Sequence, residues 1–143
     1  RLYKTLVEEK QIALVAQGFN GFPEDKFPNM ILFYAMTAPG QKVDQVGAAL
    51  RAEIGRLKTE PVSAEELDRV KTQARAGLLR SLNSNMGMAQ ALLTYEVKTG
   101  DWRNLFAQID RISKVTAEDV QRVAQATFTP QNRTIGQILP QDQ

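Results

Sequence analysis

The hydrophobic residues of this chain change their period once, near Val43, and that change bounds what the chain can fold into. Before it lie two short apolar runs, 12–16 and 30–36, stopped by Gly18 and by Pro39 with Gly40. Short runs rich in β-branched and aromatic residues between breakers predict strands over about 12–17 and 30–37. The stretch 18–28 joins them through two Gly and two Pro, which exceeds a two-residue hairpin turn and predicts a loop or the ragged end of a strand. After the change, Val43, Val46, Leu50, Ile54 and Leu57 recur at helical spacing. They predict a helix over about 43–58 that ends before Pro61.

Helix-start chemistry marks the next elements. Ser63 with Glu66 forms a capping box, with Val62 and Leu67 as its hydrophobic staple, and opens a helix over about 63–83. Thr116 with Asp119 repeats the pattern, with Val115 and Val120 as the staple, and opens one over about 116–127. Two further helices are expected at about 86–98 and 102–113, and Leu2 and Leu6 place a first one at about 1–10. Residues 133–139 alternate apolar and polar types and predict a last strand. Strands followed by helices and a final strand imply an α+β fold, a single domain over 1–143 with an antiparallel sheet covered by helices on one face. Three strands are few for such a sheet, so its first strands are expected upstream of Arg1.

Composition removes whole classes of chemistry. The 143 residues include neither His nor Cys, which excludes the usual zinc site, a Cys or Ser–His nucleophile and a His general base within this chain. Lys and Arg exceed Asp and Glu by only two, a net charge of +2, and no basic stripe suggests nucleic acid. No apolar run reaches the length of a membrane span. The paired carboxylates Glu65 with Glu66 and Glu118 with Asp119 are explained by helix capping, where negative charge complements the helix dipole.

Several stretches then point the same way. The run Arg1, Leu2, Tyr3, Lys4, Thr5, Leu6, Val7, Glu8, Glu9, Lys10, Gln11, Ile12, Ala13 resembles the helix-to-strand junction of the pitrilysin-like (M16) zinc metallopeptidases. The match continues in order through Pro61, Val62, Ser63, Ala64, Glu65, Glu66 and Leu67, then Leu79, Arg80, Ser81 and Leu82. Tyr95 with Glu96, Gly100 with Asp101 and Trp102, Val115 to Val120, and Phe128 to Thr134 follow. Taken in sequence they cover nearly the whole chain.

The resemblance implies a LuxS/MPP-like metallohydrolase-type half, the later part of a non-catalytic M16 domain. Such a domain closes a peptide-binding chamber while zinc chemistry proceeds on a catalytic M16 domain in cis or in trans. It further implies a peptide substrate, zinc in the parent or partner domain with none here, and, for bacterial members, frequent export to the periplasm. The alternative is an assembly or peptide-binding subunit whose parent has lost peptidase activity. The family's Arg and Tyr at this junction fall on Val7 and Leu14, and neither replacement can carry charge or hydrogen-bond.

Among the residues themselves, Phe19, Phe22 and Phe27 are the candidate substrate-binding group, since three aromatics in a Gly- and Pro-rich stretch are hard to bury. Val7 and Leu14 join them through the resemblance. The strand at 12–17 could accept an extended peptide by edge addition. Met30, Met36, Met86 and Met88, with Phe33 and Tyr34, are expected to fill the core. Tyr3 is expected to pack, and Trp102 to lie against the core at a helix start. Arg69, Arg75 and Arg80 are expected on a salt-bridged solvent face.

Overall fold

In a computed structural model of the chain, the described residues are 1–24 and 26–139. The expected domain over 1–143 also takes in 25 and 140–143, which lie outside them. The fold is α+β: a short N-terminal helix, the strands β1 (Ala13–Phe22) and β2 (Met30–Thr37), and the helices α1 (Val43–Thr59), α2 (Ala64–Ser81), α3 (Asn85–Thr99), α4 (Asn104–Lys114) and α5 (Ala117–Thr127). A 3-10 turn follows at Pro130–Asn132. The described residues group into two compact units, one from 1–60 with 124–139 and one from 61–123.

In the first unit, the N-terminal helix is wider than the sequence suggests. Lys4–Glu9 is a π-helix, in which the Lys10 N–H donates to the Thr5 carbonyl at 3.0 Å, five residues back. That spacing stacks residues five apart, so Leu2 and Val7 both pack on the core around fully buried Leu6. Tyr3, expected to pack, is 54% exposed because the widened turn spends its inward positions on those three. Gln11 then takes a left-handed φ of 52°, and the Ile12 N–H reaches back to the Leu6 carbonyl at 3.0 Å. This reversal delivers Ile12, Ala13 and Ala16 to the core, where Val46 of α1 meets them.

β1 and β2 pair antiparallel. The register runs Val15 to Met36, Ala16 to Ala35, Gln17 to Tyr34, Gly18 to Phe33 and Phe19 to Leu32, with shifts between Ala13 and Val15 and between Phe19 and Phe22. Each shift inserts one extra residue in β1, which is a β-bulge. Gly21, with φ +82°, supplies the left-handed residue at the second. The stretch expected to be a loop or the ragged end of a strand is therefore bulged strand as far as Phe22.

At the far end of α1, Glu53 is buried and accepts from Arg56 Nη1 at 3.2 Å, while Arg56 also donates to Glu60 at 2.8 Å. Lys58 Nζ donates to the Phe128 carbonyl at 3.2 Å and Gln125 Nε2 to the Lys58 carbonyl at 2.9 Å. These bonds tie the end of α5 to α1. Phe128 then meets Phe33 of β2 edge to face, with centroids 5.5 Å apart.

The expected last strand at 133–139 does not form a ladder. A strand exists only where a neighbouring edge supplies hydrogen bonds, and among the described residues β1 and β2 pair only with each other. Gln137 Nε2 donates to Asp44 Oδ1 at 3.0 Å and holds this segment at the first turn of α1.

The second unit is helical. Ser63 Oγ accepts from the Glu66 N–H at 3.1 Å, as its capping box requires, and Ser84 Oγ caps α3 by accepting from the Gly87 N–H at 3.1 Å. Gly100, at φ 73°, ends α3 in a left-handed cap. Thr116 and Asp119 bond reciprocally: Thr116 Oγ1 accepts from the Asp119 N–H, and Asp119 Oδ2 accepts from the Thr116 N–H, both at 3.2 Å. α4 packs on α2 and α3 and fully buries Leu105. Trp102, expected against the core, is 39% exposed. It stacks instead beneath the Arg103 guanidinium at 4.6 Å and edge-on to Phe106.

Candidate functional site

The candidate residues sort by the pleat of the β1–β2 hairpin. Residues directly opposite in an antiparallel pair point to the same side, and successive residues alternate. Ala16 with Ala35 and Gly18 with Phe33 therefore share the core side, consistent with the buried Ala16 and the Phe33–Phe128 contact. Val15 with Met36, Gln17 with Tyr34 and Phe19 with Leu32 share the other side, where Phe19, Tyr34 and Met36 are exposed. That side is an apolar, aromatic surface without a covering element among the described residues.

The predicted group meets this surface in part. Phe19 lies on it, and Phe22 continues along β1 beyond the second bulge, paired with Met30. Phe27 stands in the connection, exposed, with Lys26 Nζ 5.8 Å from its ring centroid. Leu14 is the extra residue of the first bulge and is exposed, so the position aligned with the family's Tyr does project from the strand. Val7 differs, since it is half-buried against the core of the first unit.

The methionines correct an expectation. Met30, Met36, Met86 and Met88 are all exposed rather than core filling, and so is Tyr34. β2 is apolar at nearly every position, so its sequence carries no alternation to tell the buried face from the open one. The pairing with Gln17 fixes Tyr34 as outward, a signal that needs the register and not the sequence alone.

Chemically, the surface offers apolar contact and backbone groups. Each strand of a two-stranded sheet keeps one edge unpaired, and such an edge can add an extended peptide. In the second unit, a groove of about 260 Å³ between α2 and α4 is lined by Asp68, Lys71, Arg75, Leu78, Ile109 and Ile112, with Lys71 donating to the Ser113 carbonyl at 2.9 Å. Of the three α2 arginines only Arg75 lines it. Arg69, Arg75 and Arg80 are exposed as expected, but among the described residues no salt bridge holds them.

The strongest electrostatic perturbations lie at structural ion pairs. Arg56 raises its own affinity for a proton through hydrogen bonds to Glu60 and Glu53, and its bond in turn holds the Glu60 carboxyl below the usual range. Asp119 is lowered by its bond from Arg122, then by the Thr116 N–H. Glu118 is lowered by its own backbone N–H, then by the Thr116 side chain. All three carboxylates serve helix ends. The sequence has no His or Cys, and among the described residues no three acidic side chains converge, so the donor set does not fit zinc. Among the described residues no helix is long and apolar enough to cross a membrane.

Comparison with known proteins identifies the family and supports the fold. The family model described as the peptidase M16 inactive domain matches residues 1–74. The inactive peptidase domain of a candidate zinc protease from Bordetella parapertussis superposes with a TM-score of 0.83 at 32% identity, over 100% of this chain and 74% of that one. A candidate zinc protease from Bordetella pertussis Tohama I gives 0.81 at 32% identity, over 99% of this chain and 76% of that one. The uncharacterized zinc protease YmxG of Bacillus subtilis (strain 168) is 25% identical over 129 residues, 90% of this chain. The chain spans 31% of the length of that curated relative.

Proposed function

This chain belongs to the peptidase M16 inactive-domain family, and from that premise we propose that it forms a non-catalytic wall of a peptidase chamber. It holds part of an extended peptide while a catalytic M16 domain, in cis or in trans, cleaves it with zinc held on that domain. The observation that carries this is the outer hairpin side, where Phe19, Tyr34 and Met36 are exposed on a sheet that, among the described residues, has only the two strands β1 and β2. Apolar side chains next to an unpaired edge suit a substrate bound through its backbone with little regard to sequence.

Val7 and Leu14 bring neither charge nor a hydrogen-bond donor, so transition-state stabilisation belongs to the catalytic domain. The proposed contribution here is to binding. Substrate contacts of that kind lower KM and leave kcat to the zinc site.

The test is to isolate the full-length protein carrying this domain with its co-purifying chains, and to measure bound zinc and hydrolysis of an unstructured peptide. Zinc near one per complex with chelator-sensitive cleavage is the expected result. An intact complex with neither would overturn it and leave an assembly or peptide-binding subunit as the better account.

A further inference from the structure

We propose that the groove between α2 and α4 binds the C-terminal residue of a peptide, its carboxylate on Lys71 and Arg75 and its apolar side chain against Leu78, Ile109 and Ile112. The proposal rests on peptides being the ligands of this protein, as in the function above, but not on their cleavage.

The groove is built within the second unit, both walls coming from the continuous stretch 64–114. Lys71, Arg75 and Leu78 follow one another at helical spacing along one face of α2, and Ile109 and Ile112 do the same on α4. Leu78, Ile109 and Ile112 are half-buried, so they line the groove rather than project from it. Lys71 is half-buried as well, and its bond to the Ser113 carbonyl at 2.9 Å fixes the ammonium at the groove with donors to spare. Arg75 is exposed, and among the described residues no salt bridge engages its guanidinium.

Size and charge together select the occupant. At about 260 Å³ the groove is smaller than the roughly 300–1,000 Å³ sites that enclose drug-sized ligands, so it takes one residue and not a segment. Its two cations outnumber its single acid, Asp68, which favours a monoanion over a more highly charged group. Lysine and arginine bind a carboxylate through charge-assisted hydrogen bonds. A bare inorganic anion would leave the apolar wall unused. Among the residues of a peptide only the last carries a main-chain carboxylate, and with an aliphatic side chain it satisfies both walls. Its amide N–H, which a simple aliphatic acid lacks, finds an acceptor in Asp68, one turn before Lys71.

Fluorescence anisotropy on the full-length protein tests this with a labelled probe of N-methylated alanines ending in an ordinary leucine, as free acid and as amide. N-methylation keeps both cleavage and strand addition from consuming the probe. The free acid should bind at least about tenfold tighter than the amide. Arg75→Glu should abolish that preference, while Arg69→Glu, outside the groove, should keep it; circular dichroism checks that both variants are folded. N-acetylleucine should displace the probe at least about tenfold better than isocaproate, the same acid without the amide. Equal binding of acid and amide would overturn the proposal, as would a preference that survives Arg75→Glu or is lost equally in Arg69→Glu. Equal displacement by isocaproate would also overturn it, assigning the groove to aliphatic acids in general. Cleavage is measured separately on a C-terminally amidated substrate, which lacks the carboxylate. Failure here therefore leaves the chamber function standing, and failure there leaves the groove standing.

Discussion

Gly18 and Phe33 face each other across the hairpin, and the Phe33 ring occupies the space that a Cβ on residue 18 would need, at 3.1 Å from Cδ1 and Cε1. The ring cannot back away freely, because Phe128 stands against it edge to face at 5.5 Å. Gly18→Ala is therefore expected to destabilise the protein by about 1 kcal/mol despite the better strand propensity of alanine. Phe33→Leu should remove most of that penalty when the two are combined. Urea denaturation of the double-mutant cycle measures the coupling, and additive single effects would contradict the contact.

A tighter corner lies between α2 and α3. A side chain on Gly87 would run into the Ser81 carbonyl oxygen, and backbone offers no rotamer by which to yield. Gly87→Ala should cost about 2 kcal/mol or more, seen as a lower denaturation midpoint with loss of helical circular dichroism. An unchanged midpoint would show that the corner opens readily.

The left-handed residue ahead of β1 supplies a change of opposite sign. Gln11 holds φ at 52°, a region where a Cβ costs roughly 1–2 kcal/mol and glycine fits without strain. Part of that gain is offset by the greater freedom of glycine in the unfolded chain. Gln11→Gly should stabilise by up to about 1 kcal/mol in chemical denaturation, and Gln11→Val should destabilise.

The α5 capping box sets a pH dependence. Asp119 and Glu118 both have carboxyl pKa values lowered in the folded chain, so their contribution is present above the unfolded carboxylate range, near 4. It is lost as pH falls through the depressed folded values. Amide protection at the start of α5 should decline below about pH 4 in the native protein. Thr116→Ala should remove about 1 kcal/mol at neutral pH and flatten that decline, as amide exchange against pH would show.

On the hairpin, Phe19→Ala and Phe22→Ala should each raise KM for an unstructured peptide by about tenfold, with kcat nearly unchanged, if the surface binds substrate. Steady-state kinetics on the full-length complex separates the two constants. A fall in kcat with constant KM would assign these residues to the chemistry instead.

Helix positions were legible because caps are local. Ser63, Thr116 and Gly100 announce their roles within four residues, and all three bond or turn as that chemistry requires. Faces were legible only where the period was clean. β2 is apolar on both sides, so nothing in its sequence separates Phe33, which packs, from Tyr34, which does not. The bulges at Leu14 and before Phe22 shift the pleat by one residue each, and no residue type signals the first of them. The strand expected at 133–139 shows the complementary limit: alternation encodes the capacity to pair, whereas pairing itself requires a second strand.

The π-turn at Lys4–Glu9 also records how the chain can change length. A helix takes this form when one residue is added within a turn whose two flanks stay docked, and here both flanks are fixed, Leu2 on one side and Ile12 on the other. Deleting a single solvent-facing residue, Glu8 for instance, would let the turn close to ordinary α geometry while Leu6 keeps its seat. This junction can thus absorb the loss of one residue, just as β1 accommodates one extra residue at each of its two bulges.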